Sequence, residues 1–271
     1  MDIQLIAVDL DGTALDSKKI LTPRTLAAVQ NALEAGKYVI PATGRSLNSI
    51  PAQLMKLNSL SHLILNNGAA VVSLPQQEMI FSRVFEQQTA LSLLKRFKTF
   101  PCIITASTPQ RGTIDTGIHG MKDEKLTDRF MQIMEIWNPA ETDIEKSVKE
   151  NPPWVNFFTF VFTDNDQWRN AYELYKKQEG LSVASSAWGC IDIMPPGIHK
   201  GSALSLIAEK LGIEKSRIMA IGDNHNDMEM LQNSGYKVAM GNAVDELKKI
   251  ADRVTLSCDE DGAAIAIEEI L

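Results

Sequence analysis

The run LIAVDL at 5–10 is apolar almost without interruption, and a strand of that kind is stable only when both of its faces are covered. A parallel sheet held between helices meets that demand, and the residues that follow keep its rhythm. Thr22 and Pro23 supply an N-cap and a first-turn proline, and Leu26, Val29 and Leu33 form an apolar stripe that stops at Gly36. YVIPAT at 38–43 then runs into Gly44 as a second strand, and HLILN at 62–66 makes a third before the turn at Asn67 and Gly68. Short strands alternating with helices predict an α/β chain with a parallel sheet.

The rhythm breaks at a hairpin pattern, AAVVS (69–73) and MIFSRVF (79–85) around Pro75. From 85 to 194 the pattern predicts helix TALSLLKRFKTF, strands CIITAS and PWVNFFTFVF, helix DQWRNAYELYKKQ, and strands LSVASSA and CIDIM. That is a mixed α+β insert. From Lys200 the βα order resumes with SALSLIAEKLG, RIMAIGD, NDMEMLQNS, YKVAM, AVDELKKIA and DGAAIAIEEI. The expected organisation is a Rossmann-like parallel-sheet core, 1–84 and 195–271, interrupted by the α+β domain at 85–194.

A chain of 271 residues that is 44% hydrophobic can bury a substantial core. Its net charge of -7 argues against a surface built to neutralise nucleic-acid phosphates. Cys102, Cys190 and Cys258 are odd in number and widely spaced, which suits reduced thiols rather than a disulfide framework or zinc site. The opening MDIQLIAVDLDGT carries acids where a signal peptide needs an apolar run, and no stretch reaches the roughly 18 apolar residues that cross a bilayer. A cytoplasmic protein with no membrane and no nucleic-acid partner is expected.

In open α/β sheets ligands gather beyond the carboxyl ends of the strands. Four segments at such places are informative: DLDGT (9–13), ATGRS (42–46), HKGS (199–202) and GDNHND (222–227). Asp9 and Asp11 lie two apart, so their side chains point to one side as the strand gives way to a turn. Two carboxylates about 4 Å apart repel by ~1 kcal/mol in water and ~4 kcal/mol at an effective dielectric of about 20. A cation would relieve that repulsion, and Asp223 and Asp227 bring further oxygens to the same edge. Magnesium takes oxygen ligands and needs few carboxylates, whereas zinc would want the Cys or His partners that are missing here. Each segment alone could be an acidic turn, a plain loop or a helix start. Their joint occurrence in this order is what argues for a site.

With those segments in view, the sequence resembles the haloacid-dehalogenase-like hydrolases, in particular the Cof-type subgroup, which carries a large α/β cap. DLDGT matches the family's first motif, Thr43 and Gly44 the second, Lys200 the third and GDNHND the fourth; NNGA (66–69) and MGNA (240–243) are further landmarks. The resemblance spans nearly the whole chain and makes 85–194 the cap. It implies a phosphatase in which Asp9 attacks phosphorus to form an aspartyl-phosphate. Asp11 would protonate the leaving alkoxide and then deprotonate the hydrolytic water. By the same resemblance magnesium is held by Asp9, the main-chain carbonyl of Asp11 and Asp223, with Asp227 as support. The amide of Leu10, Thr43 with the amide of Gly44, Lys200 and Asn226 would grip the phosphoryl oxygens. Cys258 stands where family members commonly carry Asn.

The expected partner is a small phosphorylated metabolite: a sugar phosphate, a nucleotide or pyridoxal phosphate. A phosphomutase of the same superfamily and a phosphoacceptor module, in which phosphorylated Asp9 signals through binding, are the alternatives. Trp188, His119, Met121 and Lys122 are conceivable contacts for the leaving group, though core or surface roles suit each of them better. His62, His199 and His225 are expected to be structural or solvent-facing, with His199 and His119 also able to line an entrance. Monomer and homodimer both remain open.

Overall fold

The computed structural model describes residues 2–108, 112–114, 144–150 and 155–271. His119, Met121 and Lys122 lie outside the described residues, as do Pro153 and Trp154 at the start of one expected strand. The first five strands are β1 (Leu5–Asp9), β2 (Tyr38–Ala42), β3 (His62–Leu65), β4 (Ala70–Ser73) and β5 (Glu78–Ser82). The insert contributes β6 (Ile103–Ser107), β7 (Gly112–Ile114), β8 (Phe157–Val161), β9 (Ser182–Ala184) and β10 (Cys190–Met194). The chain closes with β11 (Ile218–Gly222), β12 (Tyr236–Ala239) and β13 (Arg253–Val254).

The first sheet runs β13-β12-β11-β1-β2-β3-β4-β5. From β13 through β3 the neighbours pair in parallel, and β4 turns back antiparallel on β3. Every residue of β1 is buried, as a strand covered on both faces requires. The chain leaves β1 toward β2 on one side and returns to pair β11 on the other, so β1 is the point where strand order reverses. Ligand crevices in doubly wound sheets open at such points. Register places Asp9 level with Ala42 and Val8 level with Ile221, which brings the residues after all three strands to one edge.

The helices cover this sheet by the expected signals. Thr22 caps helix Pro23–Glu34 by accepting from the Thr25 amide, and that helix packs against the last one, Gly262–Glu268. Pro41 sits inside β2 and has no N–H to give, and the pairing of β2 with β3 falls one residue later, at Ala42 and Ile64. The helix expected from Ser202 begins two residues earlier, spanning Lys200–Leu211, so the lysine stands in its first turn.

The chain divides into two compact units. One gathers Met1–Gly44, Ile50–Phe81 and His199–Leu271; the other holds Arg45–Ser49 and Ser82–Ile198. In the second unit an antiparallel sheet, β7-β6-β8-β10-β9, is packed on one face by helices Gln87–Phe97, Ile144–Glu150 and Asn165–Tyr175. Ile104, Ala106, Phe158, Phe160, Ile191 and Ile193 supply the sheet side of that core. Phe97 stacks on Phe160 and on Tyr175, with ring centroids 3.2 and 4.3 Å apart. No helix among the described residues is long and apolar enough to cross a membrane.

Candidate active site

Asp9 ends β1 and is 4% exposed, and Lys200 reaches it from the first turn of its helix with no exposure at all. The ammonium donates to Asp9 Oδ1 at 2.5 Å and to Asp227 Oδ1 at 2.7 Å. The other oxygen of Asp227 accepts the backbone amides of Asp223 and Asn224 at 3.0 and 3.1 Å. Asp227 is therefore spent on structure: it fixes the loop after β11 and holds Lys200 in place.

Asp223 leaves β11 on the opposite side of β1 from Thr43. Its Oδ1 accepts the Thr13 hydroxyl at 3.2 Å and its Oδ2 accepts from Asn242 Nδ2 at 3.4 Å. The same Asn242 amide donates to the Gly12 carbonyl at 2.9 Å, while its oxygen accepts the Cys258 amide at 2.9 Å. One side chain thus ties the loops after β1 and β11 to the tail. Gly12 has φ +87, and a Cβ there would lie 2.5 Å from Asp223 Oδ2, so only glycine lets this carboxylate come so close to the first loop.

Ligand oxygens of Asp9, Asp223 and Asp227 all lie within 4.8 Å of one another. Three carboxylates here face one buried ammonium. Burial first, then the Asp227 charge, pushes Asp9 up to about 7 despite its lysine. Burial, then Asp9 and Asp227, pushes Asp223 up to about 8. Burial pulls Lys200 down, but the Asp227 and Asp9 charges overcome it and hold the ammonium above its ordinary value. The surplus negative charge, carried entirely on oxygen donors, fits a hard divalent cation. Asp9, Asp223 and Asp227 are close enough together that they could hold one.

The second wall is built around Asn67. Thr43, 1% exposed, donates its amide to Ile64 O and accepts from the Asn67 amide, which pins the end of β2 to the end of β3. The Asn67 side-chain oxygen accepts from Asn226 Nδ2 at 3.0 Å, and a Cβ on Gly44 would lie 3.3 Å from that same oxygen. Asn67 holds this place in a left-handed conformation, φ 52, that asparagine tolerates better than most residues. Leu10 contributes backbone only; its side chain is buried and its carbonyl accepts the amides of Thr13 and Leu15.

Asp11 sits half-buried in the turn, with the Lys19 ammonium 3.2 Å from its Oδ1. The structure thus brings Asp9, Lys200, Asp223 and Asp227 into direct or shared contact, and joins Gly44 and Asn226 through Asn67. His225 stands beside them with its side chain 41% exposed, its ring nitrogens near Asn224 and Glu246. Thr13, Asn67 and Asn242 join these contacts although charge did not single them out. Their only trace in the sequence was their place in DLDGT, NNGA and MGNA. Trp188 is 59% exposed in the second unit, and Cys102, Cys190 and Cys258 are buried and form no disulfide.

A family model of haloacid dehalogenase-like hydrolases matches residues 6–267. The 5-amino-6-(5-phospho-D-ribitylamino)uracil phosphatase YcsE of Bacillus subtilis (strain 168) is 29% identical over 271 residues, covering 98% of this chain and 95% of its own. A phosphoglycolate phosphatase of Methanothermobacter thermautotrophicus is 27% identical, with 99% of each chain covered. A solved haloacid dehalogenase-like hydrolase from B. subtilis superposes with a TM-score of 0.86 at 24% identity, covering 99% of this chain and 100% of that one, and so shares the fold.

Proposed function

The chain belongs to the haloacid dehalogenase-like hydrolase family, and from that premise we propose a magnesium-dependent phosphatase of small phosphorylated metabolites that works through an aspartyl-phosphate on Asp9. Hydrolysis of phosphoric monoesters is the activity its named relatives share. Those relatives act on a ribityl phosphate and on phosphoglycolate, so sugar and short-acid phosphates are the class to test. The observation that carries the reading is the buried Asp9–Lys200–Asp227 contact with Asp223 left as surplus charge beside it.

In this reading an Asp9 oxygen attacks phosphorus as the ester P–O bond breaks, and Asp11 gives its proton to the departing alkoxide. Asp11 then takes a proton from water as that water attacks the aspartyl-phosphate, releasing inorganic phosphate and restoring the Asp9 carboxylate. Lys200, Thr43 and the amides of Leu10 and Gly44 meet the charge that spreads over the phosphoryl oxygens. Asn226 spends one amide hydrogen on Asn67, and its other would serve a phosphoryl oxygen. Asp9, Asp223 and the Asp11 carbonyl would hold magnesium, supported by Asp227. When bound there, magnesium offsets the surplus carboxylate charge and draws electron density from the phosphoryl group. Lys19 must part from Asp11 for a leaving group to approach.

The test is phosphate release from a panel of phosphorylated metabolites, with magnesium and again after exhaustive chelation. Release that depends on added magnesium is expected. Turnover that survives complete metal removal would reject the metal assignment, and transfer of the phosphate to an isomeric hydroxyl without release would make the chain a mutase.

A further inference from the structure

The helix that carries Lys200 begins with an unusual cap. Serine, threonine, aspartate and asparagine are the common N-caps, because each offers a side-chain oxygen to an unpaired amide of the first turn. Here the position belongs to His199, whose ring Nδ1 accepts the Ser202 amide at 3.0 Å. The Ser202 hydroxyl returns the favour, accepting the His199 amide at 3.1 Å and donating to its carbonyl at 2.8 Å. Gly68 packs against the same residue so closely that a Cβ there would collide with the His199 carbonyl. The next residue is Lys200, held between Asp9 and Asp227.

An oxygen cap works at any pH near neutral. An imidazole cap works only while its Nδ1 carries a lone pair. Once that nitrogen gains a proton it faces the Ser202 amide as donor against donor. It also places a positive charge at the positive end of the helix dipole. We propose that His199 is a positioning residue which holds Lys200 in place as a neutral, Nε2-protonated imidazole, and that acid loosens the phosphate-gripping lysine by breaking this cap.

Burial lowers the His199 ring below its ordinary value, and the Glu229 carboxylate, on the neighbouring helix Met228–Gln232, pulls the other way. The loop 66–68 and the residues 195–198 before the cap carry no charged side chain, and Lys200 directs its own ammonium to Asp9 and Asp227. Because the folded chain binds this proton less readily than the unfolded one, stability is full above the ordinary value of 6.5 and falls as pH drops below it.

The inference rests on the phosphatase reading only for its effect on turnover, so the test has one arm that needs no activity. In the full chain, imidazole nitrogen NMR assigns the ring by the signal that His199→Asn removes. Expected are the Nε2–H tautomer at neutral pH and protonation below 6.5. An Nδ1–H tautomer, or protonation above that value, would overturn the proposal whatever the enzyme does. In the second arm kcat and KM of the magnesium-loaded wild type, His199→Asn and His199→Ala are followed as pH falls. Asparagine caps without titrating, so it should retain more turnover than alanine. The ratio of wild-type to His199→Asn kcat should fall roughly 2- to 30-fold on the acid side, the span of a lost N-cap. Superimposed wild-type and His199→Asn profiles would sink the switch.

Discussion

Among the largest side chains shut away from water in the first unit is a lysine, whereas the second unit fills its interior with phenylalanine rings. Both interiors are buried to the same degree, but their physics differs. In the second unit Phe160 stacks on Phe97, and each ring gains from every neighbour it touches. In the first, Lys200 is stable only because Asp9 and Asp227 face it, and those carboxylates with Asp223 leave the cluster short of positive charge. The aromatic core gains stability from its packing. The charged one gives up stability, and in the proposed reading what it gains is a place for a cation and a phosphoryl group, since perturbed carboxylates cluster at functional sites.

The contrast breaks first on Asp9→Asn. Turnover should drop by more than about 10⁴-fold, as when a nucleophile is removed, while circular dichroism and melting show an intact fold. Above about pH 7 without metal the variant should melt no lower than the wild type, because there it removes one of the surplus buried charges. Residual turnover within tenfold of wild type would mean that the carboxylate is not the nucleophile.

A matched pair comes next. Lys200→Met leaves the carboxylates uncompensated and should cost about 3–5 kcal/mol of stability in denaturant titrations. Phe160→Ala opens a cavity in the ring stack and should cost a similar 3–5 kcal/mol. The two differ in turnover. Only Lys200→Met should also lose phosphate release from a minimal aryl phosphate by orders of magnitude. Equal losses from both would erase the distinction between the units.

A smaller effect lies in pH. Without metal, Asp9 and Asp223 keep their protons up to about 7 and about 8 in the folded chain, against 3.8 for a free side chain. The folded state then binds more protons than the unfolded one, so this contribution to stability falls as pH rises across that window. A Tm that declines by a few degrees in chelator, and declines less with saturating magnesium, is expected; a slope that ignores magnesium would count against the cation site. The smallest effect is Asn242→Ala, which frees Asp223 Oδ2 and the Gly12 carbonyl and should weaken magnesium by about 10–100-fold in calorimetry.

Much of this was legible in the sequence, and the reasons are local. LIAVDL could only be a strand covered on both faces, and Thr22, Pro23 and Gly36 bracket a helix by chemistry that acts within a few residues. The four motif segments announce their carboxylates and lysine by identity. What the sequence withheld depends on distant parts of the chain. β13 is two residues long and is defined by its pairing with β12, not by any pattern of its own. Asn67, Asn242 and Thr13 are neutral side chains whose partners lie across the fold, so charge and periodicity give no sign of them. That Asp227 serves Lys200 and two backbone amides likewise follows only from geometry.

The central claim is that Asp9 carries the phosphoryl group. Rapid acid quench of the magnesium-loaded enzyme during turnover, followed by peptide mass spectrometry, addresses it directly. The account predicts a peptide spanning Asp9 that is heavier by one phosphoryl group, lost on mild alkaline treatment and missing from Asp9→Asn. Brisk phosphate release with no such adduct at any quench time, or an adduct on another residue, would contradict it.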